Sequence, residues 1–206
     1  MKMMPRVAVV LFAMFVVCAA RGQPAEEPWH YSASVSYYDV PNSQDYWTPV
    51  VAADRDRVHL EGRYNYLNID SGSFWAGANF STGKTWRFDA TVMFGLVVGT
   101  IQGVGPGFEL SLKHTWFSLT SEGEYVFETQ KNVGNASYSW TEISGSPASW
   151  CRLGLALQLT NAVVATRTFQ RGPVVAFSFK NFELEADVLD PDRDDATYLL
   201  SLSISF

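Results

Sequence analysis

From residue 29 onward, apolar and polar residues alternate with a period of two, and no stretch keeps the 3.6-residue period of an amphipathic helix beyond a turn or two. Successive side chains of a strand point to opposite faces, so this pattern prescribes strands with one apolar and one polar face. In 57–66, Val58, Leu60, Tyr64 and Tyr66 share a parity while His59, Glu61, Arg63 and Asn65 take the other. In 86–96, Trp86, Phe88, Ala90, Val92, Phe94 and Leu96 stand against Arg87, Asp89 and Thr91. Phe117, Leu119, Tyr125 and Phe127 oppose Ser118, Thr120, Glu122, Glu124 and Glu128, and Phe182, Leu184, Ala186 and Val188 oppose Glu183, Glu185 and Asp187. The fold class is all-β.

A soluble sandwich would show the same alternation with its apolar parity toward a core. Two features favour a membrane-spanning barrel instead. Aromatic residues gather at the ends of the apolar parity, at Tyr31, Trp86, Phe117, Trp150, Phe182 and Phe206 on one rim and at Tyr37, Tyr66, Phe94, Phe127, Tyr138 and Tyr198 on the other. Two interfacial girdles require that distribution. Turn signals also recur at nearly the ~9–11 residues of a transmembrane strand. The composition agrees, with 15% aromatic and only 17% charged residues.

Strands are expected near 30–40, 47–54, 57–67, 73–82, 85–98, 106–115, 117–128, 137–144, 149–160, 170–180, 182–190 and 197–206. They describe one closed antiparallel transmembrane β-barrel of about twelve strands; weak patterning in 41–54 and 160–172 leaves eight or ten open. Short connections at 54–56, 82–84, 114–116, 144–147 and 180–181 alternate with longer ones at 41–46, 69–71, 99–105, 129–136, 161–169 and 191–196. The glycine-rich 103–107 run lacks a following Lys-Ser or Lys-Thr and reads as a turn, not as a phosphate cradle.

Ahead of the barrel, Lys2 and Arg6 precede an apolar run over 7–20 and a small-residue exit at Ala20 and Gly22. This is the pattern of a cleaved signal peptide over 1–22, too short for a spanning helix, with cleavage after Ala20 or Gly22. The domain expected to follow is 23–206. Cys18 follows Val16 and Val17, too bulky for lipoprotein processing. Loss of Lys2, Arg6 and Arg21, with no acid removed, takes the formal charge from −6 to −9, which does not suit nucleic acid. Cys151 remains alone and in phase with Leu153, Leu155, Leu157 and Leu159, as a small apolar residue on the lipid side.

At the other terminus Tyr198, Leu200, Leu202, Ile204 and Phe206 share one parity, and Phe206 is the last residue of the sequence. This strand resembles the C-terminal assembly signal of bacterial outer-membrane β-barrels. The resemblance implies export, recognition by the barrel-assembly machinery and a final place among the lipids of a Gram-negative outer membrane. In a closed barrel this strand would pair with 30–40, setting Ser32, Ser34 and Ser36 beside Ser201, Ser203 and Ser205.

The inward parity carries Glu61, Asp89, Glu109, Glu122, Glu124, Glu128, Glu183, Glu185 and Asp187 against Arg63, Arg87, Lys113, Arg152 and Lys180. Such charges are costly in lipid and tolerable around water or in pairs. Side chains just fill an eight-stranded barrel, whereas about twelve strands leave a lumen. The expectation is a small porin-like passive channel for ions or small polar solutes with a weak cation preference. The rival is a barrel occluded by its own charge network and serving structure or surface interaction; an eight-stranded count would favour it.

Chemistry of the enzymatic kind is not expected. Barrel enzymes resemble one another in using His with Ser, Asp or Glu near the external rim, and His30 and His114 fit no such place. His59 shares the lumen parity with Glu61 and Arg63, which reads as part of a charge network, since no Ser or second His has a partner spacing. A lipid hydrolase built on His59 and Glu61 is the remaining enzymatic alternative. Asp190, Asp192, Asp194 and Asp195 read as a solvated acidic loop; no metal or cofactor is expected.

Overall fold

The period-two pattern is realised as twelve antiparallel strands that close on themselves. The structure is a computed structural model and describes residues 27–130, 134–161 and 168–206. The expected signal peptide over 1–22 lies outside the described residues, as do parts of two longer connections. In chain order the strands are β1 (His30–Asp39), β2 (Tyr46–Arg55), β3 (Val58–Tyr64), β4 (Ser71–Thr82), β5 (Arg87–Gly99) and β6 (Gly103–His114). They continue with β7 (Phe117–Glu128), β8 (Ala136–Ala148), β9 (Cys151–Asn161), β10 (Thr168–Phe179), β11 (Phe182–Leu189) and β12 (Thr197–Ser205). Each pairs with its chain neighbours, and β12 pairs with β1.

The closing seam has the expected register, with Ser32 opposite Ser205, Ser34 opposite Ser203 and Ser36 opposite Ser201. Ser201 donates to Ser36 across it at 2.8 Å. Tyr31 and Phe206 exchange both backbone hydrogen bonds, at 2.7 and 2.9 Å, and their rings stack with centroids 5.9 Å apart. Closure leaves no described edge strand to template pairing with another chain.

Outside, the barrel presents Trp47, Phe94, Leu153, Leu155, Leu157, Tyr198, Leu200 and Leu202, all exposed. Soluble monomers rarely expose a continuous apolar surface of this kind, and a hydrocarbon surround accounts for it. Strand ends set the girdles. Trp86, Trp116, Trp150 and Phe206 mark the end that bears the termini, while Tyr37, Trp47, Phe127 and Tyr198 mark the end with the longer loops.

Three connections differ from expectation. The 103–107 run is no turn: it opens β6, and the connection from β5 shrinks to 100–102. Its glycines serve close approach: a Cβ on Gly107 would stand 3.0 Å from the Trp75 ring, and one on Gly103 or Gly105 would run into the backbone carbonyl of Phe127 or Tyr125 on β7. The 144–147 turn is likewise absent, because β8 continues to Ala148 through a register shift between Gly145 and Ala148. That bulge contains Pro147, whose missing N–H therefore breaks no ladder bond. The loop before β4 spans 65–70 and is longer than the expected 69–71.

Candidate functional site in the lumen

Inward side chains divide the lumen into a wet half near the termini and a packed half near the loops. The wet half contains a cavity of about 680 Å³ lined by Ser34, His59, Glu61, Asn79, Asp89, Glu109, Lys113 and Glu122, among others. A second cavity of about 200 Å³ continues inward along the serine seam, sharing Ser34, Glu61, Glu122 and Ser203 with the first and reaching Tyr38, Thr48 and Tyr138. A third, about 360 Å³, opens beside Lys113, Glu142, Arg152 and Glu183.

The packed half is built round Trp75, which is fully buried among Met93, Val97, Ile101 and Val126. Two loops supply part of this filling. Asn65 and Asp70 adopt left-handed backbone angles, with φ of 56° and 59°. Asn65 ties the loop down, its Nδ2 donating to the Trp47 carbonyl at 2.9 Å and its Oδ1 accepting from the Asp70 N–H at 2.8 Å. The break in strand geometry at Asn65 turns Tyr66 inward, and buried Leu67 follows it. Tyr66 is therefore a lumen residue, not a member of the outer rim. Tyr138 is corrected in the same way: β8 directs its aromatic parity, Tyr138 and Trp140, inward and shows Ser137, Ser139 and Thr141 to the outside.

At the boundary between the halves sits Arg63, 5% exposed. Its guanidinium bonds Glu61 through Nε, reaches Glu124 at 3.2 Å and Glu109 at 3.4 Å, and lies 4.4 Å from the centre of the Tyr66 ring. Tyr66 in turn donates to Glu122. Arg152 holds a second network, bonding Glu142, Glu183 at 2.8 Å and Glu185 at 2.5 Å. Planar guanidinium suits this role because its five donors fan out toward several carboxylates at once.

The other charged positions fall at the ends. Arg87 pairs with Asp89 at 2.9 Å in the mouth near the termini, beside Lys113. Glu128 lies at the loop end, where it accepts from the backbone N–H of Gln102, Thr129 and Gln130. Asp187 is buried next to the serine seam. Lys180 is the one charged position that the structure removes from the lumen: it occupies the β10–β11 turn with φ 55°, and its ammonium lies 5.4 Å from the centre of the outward Phe179 ring. Alternation assigns a parity to such a residue, but a turn does not keep strand geometry.

Sequence reasoning missed Glu142, a partner of Arg152, although it shares a parity with Tyr138, whose expected place on the aromatic rim suggested the lipid face. His59 lies in the network as expected, with Asp54 of β2 as its hydrogen-bond partner beside Glu61 of its own strand. Its Nδ1 is 2.8 Å from Asp54, which also accepts from Asn79 at 2.6 Å, and its Nε2 is 3.8 Å from Glu61. The acidic loop is partly neutralised, with Asp190 3.3 Å from Arg193 and Asp192 3.2 Å from Arg171.

No family model and no curated protein matches the chain. Among solved structures, KdgM porin superposes with a TM-score of 0.57 at 11% identity, over 85% of this chain and 99% of that one. The barrel is similar in fold to KdgM porin. A structure described as KdgM porin in complex with disordered oligogalacturonate aligns with the same values. At this identity the likeness to KdgM porin is one of backbone architecture, and the lumen has to be read from its own residues.

Proposed function

We propose that the chain is a small porin-like outer-membrane channel that passes ions or small polar solutes passively, with a preference for cations. The observation that carries this reading is the wet, polar path inside an apolar exterior: the 680 Å³ cavity and its 200 Å³ continuation along the Ser34, Ser36, Ser201 and Ser203 wall. Cation preference rests on the excess of carboxylates over Arg63, Arg87, Lys113 and Arg152 around that path. The same excess disfavours a polyanion such as the oligogalacturonate named in the KdgM porin complex. Delivery by the signal peptide and folding by the barrel-assembly machinery through the 198–206 strand belong to the same proposal.

The deciding measurement is the conductance of the refolded barrel in a planar bilayer under a salt gradient. Discrete conductance steps with a reversal potential on the cation side support the proposal. A specific observation favours the occluded barrel as second reading: Tyr38 and Tyr46 stack with centroids 4.7 Å apart at the inner limit of the serine path. A folded, heat-modifiable barrel that never conducts would establish that reading. A lipid hydrolase is disfavoured, as His59 lies in the half near the termini, away from the long loops.

A further inference from the structure

We propose that His59, Glu61 and Glu109 form a binding site for one divalent transition ion of the zinc type in the wall of the large cavity. The ligand atoms of these three side chains all lie within 4.8 Å of one another. His59 and Glu61 come from β3 and Glu109 from β6, brought together across the lumen. The site goes beyond the channel reading and does not depend on it.

Three further observations separate this cluster from a mere collection of acids. His59 Nε2 is buried without a hydrogen-bond partner among the described residues, although the residue is only 3% exposed. A buried ring nitrogen left in that state costs free energy, and a metal would satisfy it. The opposite nitrogen, Nδ1, is engaged by Asp54 at 2.8 Å, which Asn79 steadies at 2.6 Å. A carboxylate accepting from the far N–H fixes the tautomer that presents Nε2 as a lone-pair donor, the usual support of a metal-bound imidazole. Glu61 divides its oxygens: Oε1 takes Arg63, while Oε2 faces His59 Nε2 at 3.8 Å.

Charge points the same way. Arg63 and Tyr66 gather Glu61, Glu109, Glu122 and Glu124, so the network carries four carboxyl groups to one guanidinium. A dication would offset most of that formal excess. One imidazole with two carboxylates suits a borderline ion better than the all-oxygen preference of magnesium or calcium. Zinc–ligand distances of about 2 Å require the donor atoms to draw closer than they stand here. Glu109, whose side chain is 33% exposed to the cavity, has the freedom to do so, and the cavity supplies water for the fourth position.

The test uses the full-length barrel, folded in detergent micelles and stripped with a chelator, titrated calorimetrically with Zn²⁺. Expected are one ion per chain and a loss of affinity of about 10–100-fold in Asp54→Asn, the effect of removing a supporting partner of a ligand. His59→Gln and Glu109→Gln should abolish the site, while Glu183→Gln, in the other network, leaves it intact. Co²⁺ in the same protein should give visible absorption that changes on His59→Gln. The proposal is overturned by absence of Zn²⁺ binding, or by binding that heat-modifiable His59→Gln and Asp54→Asn barrels retain in full, which would mark diffuse attraction to an acidic lumen. If a ligand variant does not fold, the wild-type titration and Asp54→Asn still decide.

Discussion

Arg63 shows how a single buried cation can organise a lumen. It touches three carboxylates and faces two aromatic rings, with Trp75 5.6 Å from its guanidinium. Removing one partner of a buried ionic network leaves the others uncompensated, at a cost of about 3–5 kcal/mol. Arg63→Ala should therefore lower the stability of the refolded barrel by that order, read from urea unfolding in lipid vesicles, whereas Arg87→Ala, at the solvated mouth, should change little. Gly95 illustrates a steric constraint. A Cβ there would approach the Trp75 ring to 2.4 Å, so Gly95→Val should displace Trp75 and destabilise the barrel by about 1–3 kcal/mol, the usual effect of overpacking. The same unfolding curves check it. Neither consequence is visible from alternation, which assigns Arg63 a face but does not say that Glu109 and Glu124 reach it from β6 and β7.

At the scale of elements, the strands were legible because burial on one face and lipid on the other impose the same period of two. All twelve are present at or near their expected positions, and the β1–β12 register is the one inferred from the two serine rows. The places where reading fell short share a cause: apolarity says that a side chain avoids water, not whether it avoids it in lipid or inside the barrel. Tyr66 and Tyr138 turn inward for that reason, and in the 103–107 run, expected as a turn, Gly107 makes room for Trp75 while Gly103 and Gly105 lie against the backbone of β7. The terminal strand carries its own prediction. Phe206 closes the seam through two backbone bonds and ring stacking on Tyr31, while Leu200 and Leu202 face outward. Deleting Phe206 should reduce the heat-modifiable form recovered in the membrane fraction of expressing cells, while Phe206→Tyr, which keeps the ring, should largely restore it. Equal recovery of the deletion and the wild type would remove the assembly role from this residue.

For the whole molecule, strand number alone does not determine whether the barrel conducts. Twelve strands leave space that eight would not, yet here the loop-side half of that space is packed round Trp75, Met93, Val97, Ile101 and Val126, and the inner cavity follows the serine seam. The serine rows of β1 and β12 make that wall thin, and their small side chains cannot close it. Tyr38, Tyr66, Tyr138 and Trp140 are the bulky aromatic groups that line the inner cavity, with Tyr46 stacked on Tyr38. Truncation should act on conductance while the bonds of Arg63 to Glu61, Glu109 and Glu124 stay in place. Tyr38→Ala and Tyr138→Ala are each expected to raise single-channel conductance several-fold while keeping cation preference, since Glu61, Glu122 and Asp187 still line the path. Conversely, Glu122→Gln should weaken the preference at nearly unchanged step size. If both tyrosine variants matched the wild type, the permeation path would have to lie elsewhere than along the serine wall.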